Sequence, residues 1–395
     1  MSWPLVRLGD VAPPKASKHS FAKDDEVWTL NLDQVEADTG KVLQKIMAPA
    51  SEAGSSTHGF SVQHVLYSKL RPYLNKVVLP DEQGLATTEL VPMLPDPLRL
   101  DRKYLAYYLR SKKFVDWVSS QVAGAKMPRV SMQLFWQHEI PLPILSEQVR
   151  IAAVLDKADA IRRKRQQAIQ LADDFLRTVF LNMFGDPLTN PKEWEVKKVS
   201  ECLAEGIILQ IQDGNHGNDH PKVSDFVEEG IPFVTANVVR RGQVLFDNCY
   251  YLGREWLNKL RVGFAKPRDV LLSHKGSLGF TAVLDSSFDN YIFSPQTTYY
   301  RVDESRLAPE YLKAYFDSTF FQRLFEKEGV QSTRAYVGIT RQKELPIMLP
   351  GIQVQREFLA ILAQFESMIE KLVSSSNEIP DCLDSLSQKA FCGEL

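Results

Sequence analysis

The chain repeats itself. Tyr104-Leu105 recurs as Tyr311-Leu312, Tyr108 as Tyr315, Ser111 as Ser318 and Phe114 as Phe321, all 207 residues apart. The spacing becomes 205 for Gly124/Gly329, Arg129/Arg334, Gln137/Gln342, Glu139/Glu344 and Pro141/Pro346, then returns to 207 for Gln148/Gln355, Leu155/Leu362, Leu176/Leu383 and Phe184/Phe391. The openings correspond as well, Trp3-Pro-Leu-Val-Arg-Leu with Trp194-Glu-Val-Lys-Lys-Val. Self-similarity over this length marks a duplicated unit, and the two small shifts in spacing are loop insertions. With 395 residues, the two copies each have enough chain to bury a core of their own.

Each copy divides in two. Its first part mixes short β-rich runs with Pro- and Gly-marked turns: Val77-Val78-Leu79, Phe233-Val234, Val270-Leu271-Leu272 and Thr297-Thr298-Tyr299-Tyr300 read as strands. Residues 104–118 and 311–325 each read as a helix from apolar residues at three- and four-residue spacing. The second part is a long helix. Residues 146–183 contain no Pro or Gly, and Ile151, Val154, Leu155, Ala158, Ile161, Ala168, Ala172, Phe175, Val179 and Met183 alternate at near-heptad spacing. Such a helix spans roughly 57 Å at about 1.5 Å per residue. Its copy carries Phe358, Ile361, Leu362, Phe365, Ile369 and Leu372 on one stripe. Because Pro380 lacks a backbone donor and clashes with the preceding turn, a kink is expected at 374–380. Two such stripes cover each other by pairing, which predicts an antiparallel coiled coil seamed by Ile151, Leu155, Ile161, Phe175, Val179, Phe358, Leu362, Phe365 and Ile369. The expected fold is α+β: residues 1–145 and 185–350 form two α/β domains, separated by helices at 146–184 and 351–395, in a pseudo-two-fold internal repeat.

Composition narrows the class. The four cysteines (Cys202, Cys249, Cys382, Cys392) have neither metal-ligand spacing nor the density of a disulfide framework, and read as reduced thiols. The opening residues lack a signal-peptide core and no run of about 18 apolar residues occurs, so a cytoplasmic chain without a membrane span is expected. The net charge of −2 leaves any basic face local and balanced by acid elsewhere.

Catalytic signatures are sparse. The chain has no G-x-x-x-x-G-K-[ST] phosphate loop and no Gly-rich strand–helix turn of a cofactor pocket. Asp96, Asp101 and Lys103 loosely mimic a metal-dependent nuclease triplet, but the second copy lacks it, and a turn entering the helix explains it equally. His216 and His220 sit four apart among Gly214, Gly217 and Pro221, an irregular loop rather than a zinc-binding helix. No catalytic residue and no metal ligand is assigned.

What does recur is basic and hydroxyl-bearing loops, the chemistry that reads base edges and phosphates. Lys69, Arg71 and Tyr73 in the first copy match Lys275 and Ser277 in the second; Lys126 and Arg129 match Arg334 and Tyr336. Gln212, Asn215, His216 and Asn237 add amide and imidazole groups. The run Arg162-Arg163-Lys164-Arg165 lies mid-helix among Asp156, Asp159 and Asp173-Asp174, and reads as a solvated or partner-facing band. The residues point to a two-reader DNA-binding protein. A coiled-coil scaffold with protein-binding domains is the alternative.

The run from Glu139 to Asp156, EIPLPILSEQVRIAAVLD, resembles the junction between recognition domain and helix in specificity subunits of type I restriction–modification systems. The ending SLSQKAFCGEL, Ile211-Gln-Asp-Gly-Asn-His216, Gly230-Ile-Pro-Phe-Val-Thr-Ala-Asn237 and Leu30-Asn-Leu-Asp-Gln-Val-Glu-Ala-Asp-Thr-Gly40 are similar to that family's C-terminus and to openings of its target recognition domains. The resemblance implies a non-catalytic subunit in which each domain reads one half of a split asymmetric target on double-stranded DNA and the paired helices set the spacer. It implies recruitment of two adenine-N6 methyltransferase subunits, to which two nuclease–translocase subunits can be added. S-adenosylmethionine, ATP and magnesium then belong to those partners, and no cofactor to this chain.

Overall fold

The computed structural model describes residues 3–18, 20–54, 56–123, 127–214, 220–240, 242–329 and 335–395, with the side chains at 123, 366 and 368–383 outside the description. The chain folds as two compact units, Met1–Ala168 with Lys371–Leu395, and Ile169–Glu370.

In the first unit, Leu5–Arg7 pairs antiparallel with Glu139–Pro141, which ties the start of the domain to its end. A four-stranded sheet runs in the order Ile46–Pro49, Glu26–Leu30, Gly84–Thr87, Thr57–Phe60, and a three-stranded sheet in the order Val77–Val78, Val65–Ser68, Leu90–Met93. Trp28, Leu30, Phe60, Leu66, Val78 and Leu90 form one core. Tyr67, Tyr104, Leu105, Leu109, Phe114 and Phe135 lie in a second, to which the long helix adds Ile151, Ala152 and Leu155. The end of the second long helix closes this core: Ala390 is buried in it, and the Phe391 ring meets Tyr104 edge-on at 5.3 Å.

The second unit repeats these contacts. Glu195–Lys198 pairs antiparallel with Pro346–Leu349. A four-stranded sheet (Ile208–Asp213, Thr297–Val302, Val270–Ser273, Thr281–Val283) accompanies a five-stranded one (Phe226–Val227, Tyr250–Leu252, Ile231–Val234, Tyr291–Phe293, Phe264–Ala265). Here Phe184, from the end of the first long helix, meets Tyr311 edge-on at 4.7 Å.

Each segment expected as one helix is two: Arg102–Arg110 with Lys112–Ser120, and Pro309–Asp317 with Thr319–Gly329. A serine makes the break. Ser111 and Ser318 adopt extended backbone and accept hydrogen bonds from the N–H groups of Phe114 (3.4 Å) and Phe321 (3.2 Å), ending one helix while capping the next. The apolar spacing carries through the break, so periodicity alone does not reveal it.

The long helices are Leu145–Phe184 and Ile352–Cys392. In the second unit, Phe175 stacks on Phe365 at 4.4 Å while Phe184 meets Phe358 at 5.4 Å, so one helix ascends as the other descends. Val179 and Leu362 pack beside them. Ile161, in the first unit, is 48% exposed, and Ile369 lies outside the described side chains. The backbone of the second helix is helical without interruption across 374–380, and the kink expected there falls among residues outside the described side chains. Among the described residues, Cys202, Cys249 and Cys392 are free thiols, and no helix is long and apolar enough to cross a membrane.

A buried glutamine anchors each long helix. Gln148 Oε1 accepts the Asp101 N–H at 2.8 Å, and Gln148 Nε2 donates to the carbonyls of Arg99 and Pro143, both at 2.8 Å. Gln355 repeats the arrangement on Ala308 (2.8 Å), Arg306 (3.2 Å) and Pro350 (2.8 Å). Both side chains are fully buried. Replacing either with alanine strands three backbone groups, at least one of them in a buried bond, so Gln148→Ala and Gln355→Ala should each cost roughly 1–3 kcal/mol in urea denaturation. Gln170→Ala, on an exposed helix face, should stay within about 0.5 kcal/mol of wild type. Equal effects at all three positions would remove the anchoring role.

His138 gives the first unit an acid limit. Its ring lies 3.9 Å from that of Trp117, and its Nε2 is 2.9 Å from Tyr108 Oη. Burial, with a smaller contribution from Lys113, pushes its pKa down from 6.5 to about 4. The unfolded chain therefore binds this proton more readily than the folded one. The stability contribution is complete above about pH 6.5 and is lost as pH falls toward about 4. His138→Phe should flatten the fall in urea midpoint between pH 7 and pH 5; an unchanged slope would assign the acid sensitivity to other groups.

Candidate nucleic-acid interface

Strand Val65–Ser68 runs into a loop that lies against residues 128–130. Leu70 forms an antiparallel bridge with Arg129, the Arg71 N–H donates to the Pro128 carbonyl at 2.8 Å, and the Val130 N–H donates to that of Lys69 at 3.0 Å. Two loops separated in sequence thus become one surface carrying Lys69, Arg71, Tyr73 and Arg129. The second unit builds the same junction after Val270–Ser273. Lys275 bridges Tyr336, the Gly276 N–H donates to the Ala335 carbonyl at 3.2 Å, and the Val337 N–H to that of His274 at 3.0 Å. This hydrogen bonding makes Tyr336 the counterpart of Arg129 in the repeat, whereas the 205-residue spacing makes it Arg334. The loops differ in length just where the alignment has least to hold it.

The two junctions are not electrically alike. Arg129 forks onto Glu89, with Nη2–Oε1 at 2.9 Å and Nε 3.2 Å from both oxygens. That hydrogen bonding holds the Glu89 carboxyl below its usual range. Lys69 and Arg71 make no ion pair with any described residue. Arg71 is exposed and adopts a left-handed backbone, φ +48°, at the position where the second unit has Gly276, φ +80°. A non-glycine side chain there carries strain of about 1 kcal/mol or more. Lys275 is exposed, its ammonium 5.9 Å above the ring of Tyr336, itself 41% exposed. Tyr73 is 51% exposed.

The other sequence candidates divide. Gln212 Oε1 accepts from the Gly263 N–H (3.2 Å) and the Tyr299 hydroxyl (2.9 Å), so it braces strands. Asn237 is exposed, its Oδ1 accepting from the Thr235 hydroxyl. Ser277 is half-buried beside Lys275, to whose carbonyl its N–H donates at 3.1 Å. Lys126, Asn215, His216 and Arg334 lie outside the described residues. The nuclease-like triplet is committed locally: Asp96 accepts from the Leu98 N–H, Asp101 caps the helix at the Tyr104 N–H, and Lys103 binds Asp156. Among the described residues no three His, Cys, Asp or Glu side chains form a metal site. In the mid-helix basic band, Arg162 and Arg163 pair with Asp159 at 2.7 and 3.4 Å.

Sequence reasoning passed over Arg240. Its Nη1 donates to the carbonyls of Ala236 and Val239, both at 2.7 Å, and its guanidinium lies 4.4 Å above the Phe280 ring. The adjacent Arg240-Arg241, just past Thr235-Ala236-Asn237, was the available signal.

Residues 71–171 match the family model described as type I restriction modification DNA specificity domain. The MjaVIII specificity subunit of Methanocaldococcus jannaschii, a type I restriction enzyme component, is 22% identical over 307 residues, covering 73% of this chain and 69% of that protein. The EcoKI specificity subunit of Escherichia coli K12 is 25% identical over 315 residues, covering 74% of this chain and 65% of that protein. The match to the Escherichia coli EcoDI specificity subunit, 23% identical, spans 48% of this chain and 43% of that one. In fold, a type I restriction–modification S subunit from M. genitalium aligns over 99% of this chain and 96% of its own, with TM-score 0.59 and 14% identity. A chain from a type I R-M system solved for its complex assembly aligns over 100% and 98%, with TM-score 0.55 and 19% identity. In sequence and in fold, this chain resembles the specificity subunits of type I restriction–modification systems, and residues 71–171 match their DNA specificity domain.

Proposed function

We propose that this chain is the DNA-recognition subunit of a type I restriction–modification complex, with no catalytic activity of its own. Residues 1–145 and 185–350 act as two target recognition domains, each reading one half of a split asymmetric sequence. Helical segments 146–184 and 351–395 set the unread spacer. The observation that carries this reading is the repeated junction, loop 69–71 on 128–130 and loop 274–276 on 335–337, one backbone frame that presents basic side chains and an exposed tyrosine in each unit, at different positions of the frame. Different side chains on one scaffold suit a target that is not palindromic. Stiff linkage of two readers raises affinity through effective concentration when both half-sites lie at the right separation.

In this reading two adenine-N6 methyltransferase subunits bind the chain, and two nuclease–translocase subunits can join them. S-adenosylmethionine, ATP and magnesium are theirs, and the complex works in the cytoplasm. The near-neutral charge leaves much of the phosphate grip to the partners, so binding by this chain alone is weak and salt-sensitive.

The test is a methylation map. The chain is co-expressed with a type I adenine-N6 methyltransferase subunit that forms a complex with it, in a host lacking adenine methylation, and N6-methyladenine is located by long-read sequencing. A split motif with a fixed spacer is expected; a complex that forms but modifies no adenine would favour the scaffold alternative. Removing about seven residues, two helical turns, from 146–183 and the matching length from its partner helix should change the spacer and leave both half-sites intact.

Arg71 separates recognition from folding. In Arg71→Gly the relief of left-handed strain and the added chain entropy nearly offset each other, so stability should stay within about 1 kcal/mol of wild type. Target affinity of the complex should fall about tenfold. Unchanged affinity would remove Arg71 from the interface.

A further inference from the structure

The geometry points to Arg240 as a base reader that selects guanine in the half-site of the second recognition unit. This rests on the specificity-subunit reading and assigns it a residue and a base.

A side chain that reads a base edge must point the right way before DNA arrives, whereas a phosphate contact tolerates a mobile lysine. Arg240 is held on three sides. It lies in strand Val239–Arg240, opposite Gln243; its Nη1 is bound to the Ala236 and Val239 carbonyls; and its guanidinium carbon lies 4.4 Å from the centroid of the Phe280 ring. The Nε–Nη2 edge makes no hydrogen bond with any described residue. That edge offers two parallel N–H donors, the complement of the N7 and O6 acceptors that guanine presents in the major groove.

Structural arginines of this unit look different. Arg301 closes on Asp269 at 2.6 Å, and Arg268 binds both Glu304 and Glu310. Arg240, half-buried like Arg301, has no carboxylate partner among the described residues. Its place also fits. Gly242 bridges Ala282, which seats the Arg240 hairpin beside the strand that follows the Lys275–Ser277 loop, and Phe280 belongs to that loop's return. Phe280 is 38% exposed, so the stacked pair reaches the surface. In the first unit Val35 bridges Val42 as Val239 pairs with Val244 in the second, and the residue after Val35 is Glu36, an acid where the second unit has Arg240. The guanine contact therefore belongs to one half-site only.

The experiment maps adenine methylation by the assembled complex carrying wild-type chain, Arg240→Lys, Arg240→Ala or Phe280→Leu. Both Arg240 variants should relax one guanine in one half-site, raising methylation at sites with another base there about ten- to hundredfold relative to the cognate site, with the other half-site and the spacer unchanged. Phe280→Leu keeps the carbonyl bonds and removes the stacked ring; it should relax the same position to a smaller extent, and it serves as the readout where an Arg240 variant folds poorly. A uniform loss of methylation with an unchanged motif makes Arg240 a phosphate contact or a structural brace and overturns the inference, as does a wild-type motif with no guanine in either half. A wild-type complex that yields no split motif overturns the specificity-subunit reading, and this inference with it.

Discussion

A single buried amide in each unit governs how the long helix departs from the residues before it. Gln148 and Gln355 each join the first turns of a long helix to the loop entering the domain helices and to the carbonyl of the proline just before the helix. A buried amide needs all its partners satisfied, and it satisfies them in one geometry only. Apolar packing at the same place would tolerate a range of helix angles. The hydrogen bonds do not, and they fix the direction in which each long helix starts.

Around this joint the units spend their polarity differently. In the first, Asp156 binds Lys103 at 2.5 Å and the Tyr107 hydroxyl at 2.8 Å, so the helix is also tied to its domain by charge. In the second, aromatic rings dominate, with Phe180, Phe184 and Phe358 packed against Tyr311 and its neighbours. The exposed junctions diverge in the same manner. One cation of the first is neutralised by Glu89, and the strained Arg71 is left to act; the second relaxes that backbone with glycine and carries its cation on Lys275. A common backbone with exchanged side chains lets the two surfaces differ in charge while the scaffold stays the same. It also lets a chain with net charge −2 carry a local basic surface, since local charge is set by a handful of side chains and not by the total.

Much of this was legible in the residues because duplication keeps core positions in step. Tyr104/Tyr311 and Gln148/Gln355 hold identical hydrogen-bonding places in the two units, so their spacing exposes both the repeat and its architecture. The serine breaks, the equivalence of Tyr336 with Arg129 and the posture of Arg240 were not legible. The serine caps span only three residues and leave the apolar spacing intact, while the other two depend on loop conformation, which leaves no periodic trace.

The sequence by itself determined that there are two copies of one unit, that each ends in a long amphipathic helix, and that the helix stripes must be covered, because apolar spacing is local and survives without knowledge of the fold. Only the tertiary structure decided which loops share a surface, which cations are already neutralised and which have no ion pair among the described residues. Those outcomes turn on distances of a few ångströms between residues tens of positions apart, and a linear pattern carries no record of such distances.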